Sequence, residues 1–145
     1  MEWVIKHFNE LTTKELFEIY QLRVEVFVVE QECCYQDIDE YDLVSYHIML
    51  RDHHKLIGYA RVLPPHCTFE STSIGRVIVK ERRKGYGTMV VLKAIETAKE
   101  KFKADIITIE AQVYARGLYE KCGFQQTSKE FLEDGILHIE MTLKF

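Results

Sequence analysis

Proline is almost missing from this chain: there are two in 145 residues, adjacent at Pro64-Pro65, where they end a strand-like run. Cysteine is scarce too. Cys33, Cys34, Cys67 and Cys122 are spaced for neither a disulfide framework, a zinc knuckle nor a C-x-x-C redox pair. This argues against a disulfide-stapled secreted scaffold and predicts reduced thiols in a cytoplasmic protein. No apolar run approaches the roughly 18 residues of a membrane helix, so no membrane partner is expected. The first residues, Met1 to His7, alternate like a strand and lack the basic flank and apolar core of an export signal. An excess of positive charge is absent as well, with 19 Lys+Arg against 23 Asp+Glu and a formal net charge of −4. No basic stripe is interleaved with stacking aromatics, so nucleic acid is not an expected partner. Of the six histidines only His53-His54 are close together, in a polar stretch that reads as a turn, and no metal site is predicted.

What is present suffices for one packed domain spanning residues 1–145, with 47% hydrophobic residues. After the first strand, Leu11 to Leu16 reads as a helix start in which Thr12 and Glu15 form a capping box. Leu16, Tyr20, Val24 and Phe27 then recur at helical spacing, which predicts an apolar face laid on a sheet. An acidic loop runs from Glu30 to Asp42. Strands are predicted at 46–51, 56–63 and 73–79, and a long helix from Thr88 with Val91, Leu92, Ile95, Ala98 and Phe102 on its inner side. A strand at 105–111, a short helix at 118–123 and a hairpin turning at Glu133-Asp134-Gly135 close the chain. The order β-α-β-β-β-α-β-α-β-β specifies an α+β, sandwich-like domain with a mixed sheet flanked by helices.

The segment Arg82-Arg83-Lys84-Gly85-Tyr86-Gly87 lies between a strand and a helix. Two glycines let the backbone turn tightly, and the first N–H groups of the following helix point into the turn, which favours a phosphate. The spacing is not that of a P-loop, which needs Gly-x-x-x-x-Gly-Lys-Ser/Thr. A dinucleotide fingerprint would need a third glycine where Val90 stands. Arg-x-x-Gly-x-Gly remains, which resembles the pyrophosphate loop of the GNAT superfamily of acetyl-CoA-dependent N-acetyltransferases. A second segment, Tyr119-Glu120-Lys121-Cys122-Gly123-Phe124, is similar to that superfamily's other signature. Leu22 to Gln31, Tyr35, Glu133 to Ile136 and His138 narrow the likeness to the ElaA-like family, over essentially the whole chain.

The resemblance implies a GNAT acyl-CoA N-acyltransferase fold with a mostly antiparallel sheet, and a small-molecule primary amine as acceptor. Acetyl-CoA would be the co-substrate, without metal, and a homodimer is compatible with the sequence. Coenzyme A would meet the peptide groups of Val77, Ile78 and Val79 and the loop Arg82, Arg83, Lys84, Gly85, Tyr86, Gly87 and Thr88. Tyr119 would protonate the departing thiolate, because a phenol with pKa near 10 is still protonated at neutral pH. Glu30, His47 and Glu110 are the candidate bases, with a water relay as an alternative. The acids between Glu30 and Asp42 would attract a cationic amine. An amino-sugar phosphate is a rival acceptor, for which Arg51, Arg61, Arg76 or Arg116 would have to hold the phosphate. Acyl-homoserine-lactone synthases share the Arg23 to Phe27 spacing, and a CoA-binding module without turnover is the rival of another class.

Overall fold

The computed structural model describes residues 1–82 and 84–145; Arg83, one of the expected loop residues, lies outside them. The strands are β1 (Glu2–His7), β2 (Tyr46–Asp52), β3 (Lys55–Leu63), β4 (Thr72–Val79), β5 (Ile106–Gln112), β6 (Gln125–Gln126), β7 (Phe131–Glu133) and β8 (Ile136–Lys144). The helices are α1 (Thr13–Arg23), α2 (Tyr86–Phe102) and α3 (Arg116–Lys121). The eight strands form one sheet in the order β1-β2-β3-β4-β5-β8-β6, with β7 also on β8. Every pairing is antiparallel except β4 with β5, so the sheet is mixed and mostly antiparallel, as expected.

Alternation along the strands serves two layers. Ile48, Leu50, Ala60 and Val62 point to the side of α2, where Val90, Val91, Ala94, Ile95 and Ala98 meet them. Met49, Tyr59 and Ile78 point to the other side, against Ile19 and Leu22 of α1. Two register details of the sequence reading are corrected. Val24 of the first helical run and Leu92 of α2 are exposed, at 37% and 50%, because the buried stripes run instead through Ile19-Leu22-Arg23 and Val90-Val91-Ala94.

Local signals read from the sequence are realised at the backbone. Thr12 Oγ1 accepts from the Glu15 N–H at 3.1 Å, and the Thr12 N–H donates to Glu15 Oε1 at 2.8 Å, closing the capping box. At the end of α1 the chain does not stop. It widens into a π-helical run, Val24–Glu30, where four valines crowd the narrower helix. Asp134 and Gly135, with φ of +52° and +76°, make the left-handed two-residue turn between β7 and β8. His53 and His54 make the corresponding turn between β2 and β3. All four cysteines are free thiols.

Candidate active site

The parallel pair β4–β5 is the weak seam of the sheet. It is bonded only at Thr72–Ile107 and Ser73–Thr108, after which the two strands diverge. β4 stays attached to β3 through Gly58–Val79 and Tyr59–Ile78, so its peptide groups on the β5 side have no strand partner. Two residue steps of β3, Tyr59 to Arg61, are matched by three of β4, Ile78 to Gly75, which marks a bulge at Arg76-Val77. Arg76 carries it with φ of +54°, an uncommon conformation for a residue with a Cβ. The resulting cavity, of about 950 Å³, is walled by Gly75 to Lys80 on one side and by Glu110, Ala111 and Tyr119 on the other.

At one end this cavity meets the start of α2. Gly85 takes the left-handed cap position with φ of +76°, and among the described residues no side chain caps the helix and no acid stands in its first turn. The leading N–H groups of α2 are thus free to meet an anion. Of the expected cofactor residues, Val77, Ile78, Val79, Arg82 and Gly87 line the cavity. Lys84, Gly85, Tyr86 and Thr88 form the same turn but stand off the cavity wall, and Tyr86 packs into the core. Lys84 Nζ pairs with Glu81 at 2.7 Å. A Cβ on Gly87 would sit 3.4 Å from a methyl of Leu118, the residue before Tyr119, so a side chain larger than alanine here would press on α3.

Tyr119 is held by a six-residue helix that ends through Phe124 N–H donating to the Tyr119 carbonyl at 3.1 Å. Its ring meets Phe124 edge-to-face at 5.9 Å and is 9% exposed, on the cavity side. Among the described residues its hydroxyl has no hydrogen-bond partner. Burial pushes its pKa upward, and Tyr114 and Cys122 add to that, so the group remains a protonated phenol at neutral pH.

The three candidate bases separate. Continuing the parallel register from Ser73–Thr108 sets Glu110 level with Gly75, across the gap from the bulge. Burial, contact with Glu133 and the charge of Glu140 raise its pKa to about 7. Glu30 lies on the rim, half exposed, 3.9 Å from Arg82. His47 is corrected: it is wholly buried and is not part of the cavity wall. Its Nδ1 bonds the Tyr59 hydroxyl at 2.6 Å and its Nε2 the Asp42 carbonyl at 2.9 Å. Burial lowers its pKa, so this is a neutral structural imidazole.

The acidic loop is likewise not a bare negative roof. Arg23, fully buried, donates from Nε to Asp37 at 2.9 Å and from a terminal nitrogen to Asp42 at 2.6 Å. Arg61 grips Asp39 through bonds of 2.6 and 3.0 Å and reaches Asp42 at 3.0 Å. Arg76 Nε lies 2.7 Å from Asp37 Oδ1, near enough for an ion pair though not aligned as a hydrogen bond. Tyr35 donates to the same carboxylate at 2.7 Å. Three arginines thus neutralise Asp37, Asp39 and Asp42 and staple the loop over the β4 bulge. Arg51 is held by Glu18 at 3.2 Å, and Arg116 lies 3.7 Å from Glu120 on the surface. All four arginines considered for a sugar phosphate are therefore engaged with carboxylates, and Arg23 is sealed inside the protein.

Several residues of the cavity wall are absent from the sequence-derived set. The β7–β8 hairpin brings Glu133, Asp134 and His138 to the cavity, and Gln112 donates to Gln31 at 3.2 Å across it. The Asp-Gly turn was a visible hairpin signal, but nothing in it indicated that the hairpin would curl toward β5. His138 stacks on Phe131 and bonds the Ile136 carbonyl through Nδ1 at 2.8 Å.

Comparison with known proteins agrees with this geometry. The family model described as an acetyltransferase (GNAT) domain matches residues 12–145. A UPF0039 protein of Schizosaccharomyces pombe is 46% identical, with 99% of this chain and 97% of that protein covered. Protein ElaA of Escherichia coli is 38% identical over 97% of this chain and 95% of its own. The crystal structure of E. coli ElaA superposes with a TM-score of 0.91 at 37% identity, covering 99% of both chains. An acyl-CoA N-acyltransferase from Pseudomonas aeruginosa gives the same TM-score, 0.91, at 35% identity over 99% of both chains. The paired gap, helix start and tyrosine, together with these matches, place the chain in the GNAT acetyltransferase superfamily, in its ElaA-like family.

Proposed function

We propose that this protein transfers the acetyl group of acetyl-CoA to the primary amine of a small, cationic molecule. The observation that carries the reading is the continuous cavity from the uncapped start of α2, along the unpaired edge of β4, to Tyr119 and Glu110. Acetyl-CoA fits it by chemistry. The pyrophosphate would take the free N–H groups of α2, and the amides of the pantetheine arm would take the peptide groups of Val77 to Val79 that β5 leaves unpaired. The thioester would then lie near the bulge, between Tyr119 and Glu110.

At that point the roles follow from protonation state. An amine arrives as an ammonium, and Glu110, ionised at slightly alkaline pH, accepts its proton. The neutral nitrogen then forms its bond to the thioester carbonyl as the carbon–sulfur bond breaks. Tyr119 gives its proton to the departing thiolate, and the second proton that the nitrogen sheds on becoming an amide passes through solvent to restore the phenol. Glu133 and Asp134 at the same end supply negative charge that favours a cationic acceptor over an amino-sugar phosphate. Commitment of Arg51, Arg61, Arg76 and Arg116 to carboxylates weighs against that alternative too.

The reading is tested by thiol release from acetyl-CoA across diamines and polyamines, amino sugars, amino-sugar phosphates and lysine peptides. Preference for the amines without phosphate is expected. Tight acetyl-CoA binding with no amine-dependent release anywhere in the panel would favour the regulatory binding module. Cofactor binding has its own test in the glycine loop. Calorimetry should show Gly87→Val weakening acetyl-CoA binding by roughly tenfold or more, because its branched side chain fills the cavity wall and presses on Leu118. Lys84→Ala should have the smaller effect, since that charge is exposed and already paired with Glu81.

A further inference from the structure

We infer that Arg76 is a positioning residue for the reaction: its guanidinium, clamped to Asp37 of the overlying loop, holds the β4 bulge in the left-handed conformation that presents Val77 to the thioester. The inference rests on the acetyl-transfer reading above and adds a residue to it. Gly75 still faces Arg61 of β3 and Ile78 faces Tyr59, but Arg76 and Val77 between them have no partner residue in β3, and the ladder to β5 has ended at Ser73. Nothing in the sheet fixes these two residues. The φ of +54° at Arg76 is one that a residue with a Cβ adopts only at a cost, and such a conformation persists only where its surroundings impose it.

The side chain of Arg76 supplies that constraint. Its Nε lies 2.7 Å from Asp37 Oδ1, a terminal nitrogen donates to the Asp37 carbonyl at 3.0 Å, and the same nitrogen is 3.6 Å from Asp39 Oδ2. Its guanidinium carbon stands 5.8 Å from the centre of the Tyr35 ring, whose hydroxyl donates to the same Oδ1 at 2.7 Å. A clamp is no firmer than its anchor. Asp37 is itself fixed from the core, where Arg23 donates from Nε to its Oδ2 and from a terminal nitrogen to its carbonyl, both at 2.9 Å. Arg23, Asp37 and Arg76 thus tie α1 to the bulge without a break. The other arginines of the cavity wall are employed elsewhere: Arg61 holds Asp39 and Asp42, and Arg82 lies 3.9 Å from Glu30 at the rim.

Among the described residues every polar contact of Arg76 goes to the loop, so it acts on the reaction through its own backbone. Relaxation at Arg76 would rotate the peptide that joins it to Val77, beside the place of the thioester. Ile78 and Val79 would stay on β3, and the start of α2 would be untouched. Cofactor binding should therefore survive while alignment of the acetyl carbonyl is lost.

The test compares Arg76→Ala, Arg76→Gly and Arg76→Lys with the parent. Alanine keeps the left-handed penalty and loses the clamp, so kcat should fall roughly tenfold with acetyl-CoA affinity changed much less. Glycine enters this conformation freely, so Arg76→Gly should stay within a few-fold of the parental kcat although it loses the same contacts and Tm falls in both variants. Arg76→Lys, which restores a cation to Asp37, should recover most of the turnover. The NMR coupling between the amide and α hydrogens of residue 76 reads φ without turnover: it should remain left-handed in Arg76→Lys and become extended in Arg76→Ala. Should Arg76→Ala not fold, Arg76→Gln takes its place with the same expectations. A left-handed coupling retained in the uncharged variant, or a kcat for Arg76→Gly no better than that variant's, would overturn the inference. A parent that acetylates no amine would sink the acetyl-transfer reading and the reaction role of Arg76 with it, while the coupling would still report whether the arginine holds the bulge.

Discussion

Replacing Tyr119 by phenylalanine is expected to lower kcat by roughly 10²-fold or more and to leave acetyl-CoA affinity close to the parent's. The reason is the timing of the bond. A proton given to a leaving thiolate is an interaction of the transition state, so its loss falls on kcat rather than on cofactor binding. Phenylalanine retains the ring against Phe124 and removes a hydroxyl that bonds nothing among the described residues, so folding should be unaffected. Circular dichroism and calorimetry serve as controls. A folded Tyr119→Phe protein with parental affinity and parental turnover would show that the proton comes from another group.

The largest effect on stability is expected at Arg23. Arg23→Ala would leave Asp42 buried beneath the loop without its nearest cation and Asp37 with Arg76 alone, a loss of about 3–5 kcal/mol. Urea unfolding measures it. Burial alone would raise the pKa of Asp42, but the bond to Arg23 and the charges of Arg23 and Arg61 more than offset this, and its pKa is lowered. That of Asp39 is lowered as well, burial again being overcome by Arg61. A carboxylate depressed in the folded state contributes stability above its unfolded pKa, near 3.9, and loses it as pH falls through the folded value. The parent should therefore lose Tm steeply below about pH 4. Arg23→Ala, having lost much of the pairing already, should show a shallower dependence there. A variant as stable as the parent would mean that the arginine merely fills space.

The fold was largely legible because its local signals agree with one another. The Thr12–Glu15 box, the Asp134-Gly135 turn, the two glycines before α2 and the alternating strands each specify one backbone choice. Periodicity found most of both helical faces, with Val91, Ile95 and Ala98 interior as expected, and erred at single positions because valines and leucines flank both stripes. Val24 and Leu92 look interior in the sequence, and only the sheet beneath decides that Arg23 and Val90 take those places. Pairing between distant segments was illegible. The sequence shows an acidic loop and scattered arginines, but not that Asp37, Asp39 and Asp42 would be spent on Arg23, Arg61 and Arg76. His47 was misread for the same reason: a polar residue on a strand carries no mark of facing a buried tyrosine rather than a cleft. Glu110 was only a polar strand residue in the sequence, and the parting of β4 from β5 is what sets it on the cavity wall.

Acetyl transfer itself is tested most directly by following the label from carbonyl-labelled acetyl-CoA with a diamine acceptor and the parent protein. The label is expected to appear as an amide on the amine at the rate at which free thiol forms. If it appears as acetate, or stays on the cofactor while acetyl-CoA remains bound, the cavity between β4 and β5 does not join an acetyl group to an amine.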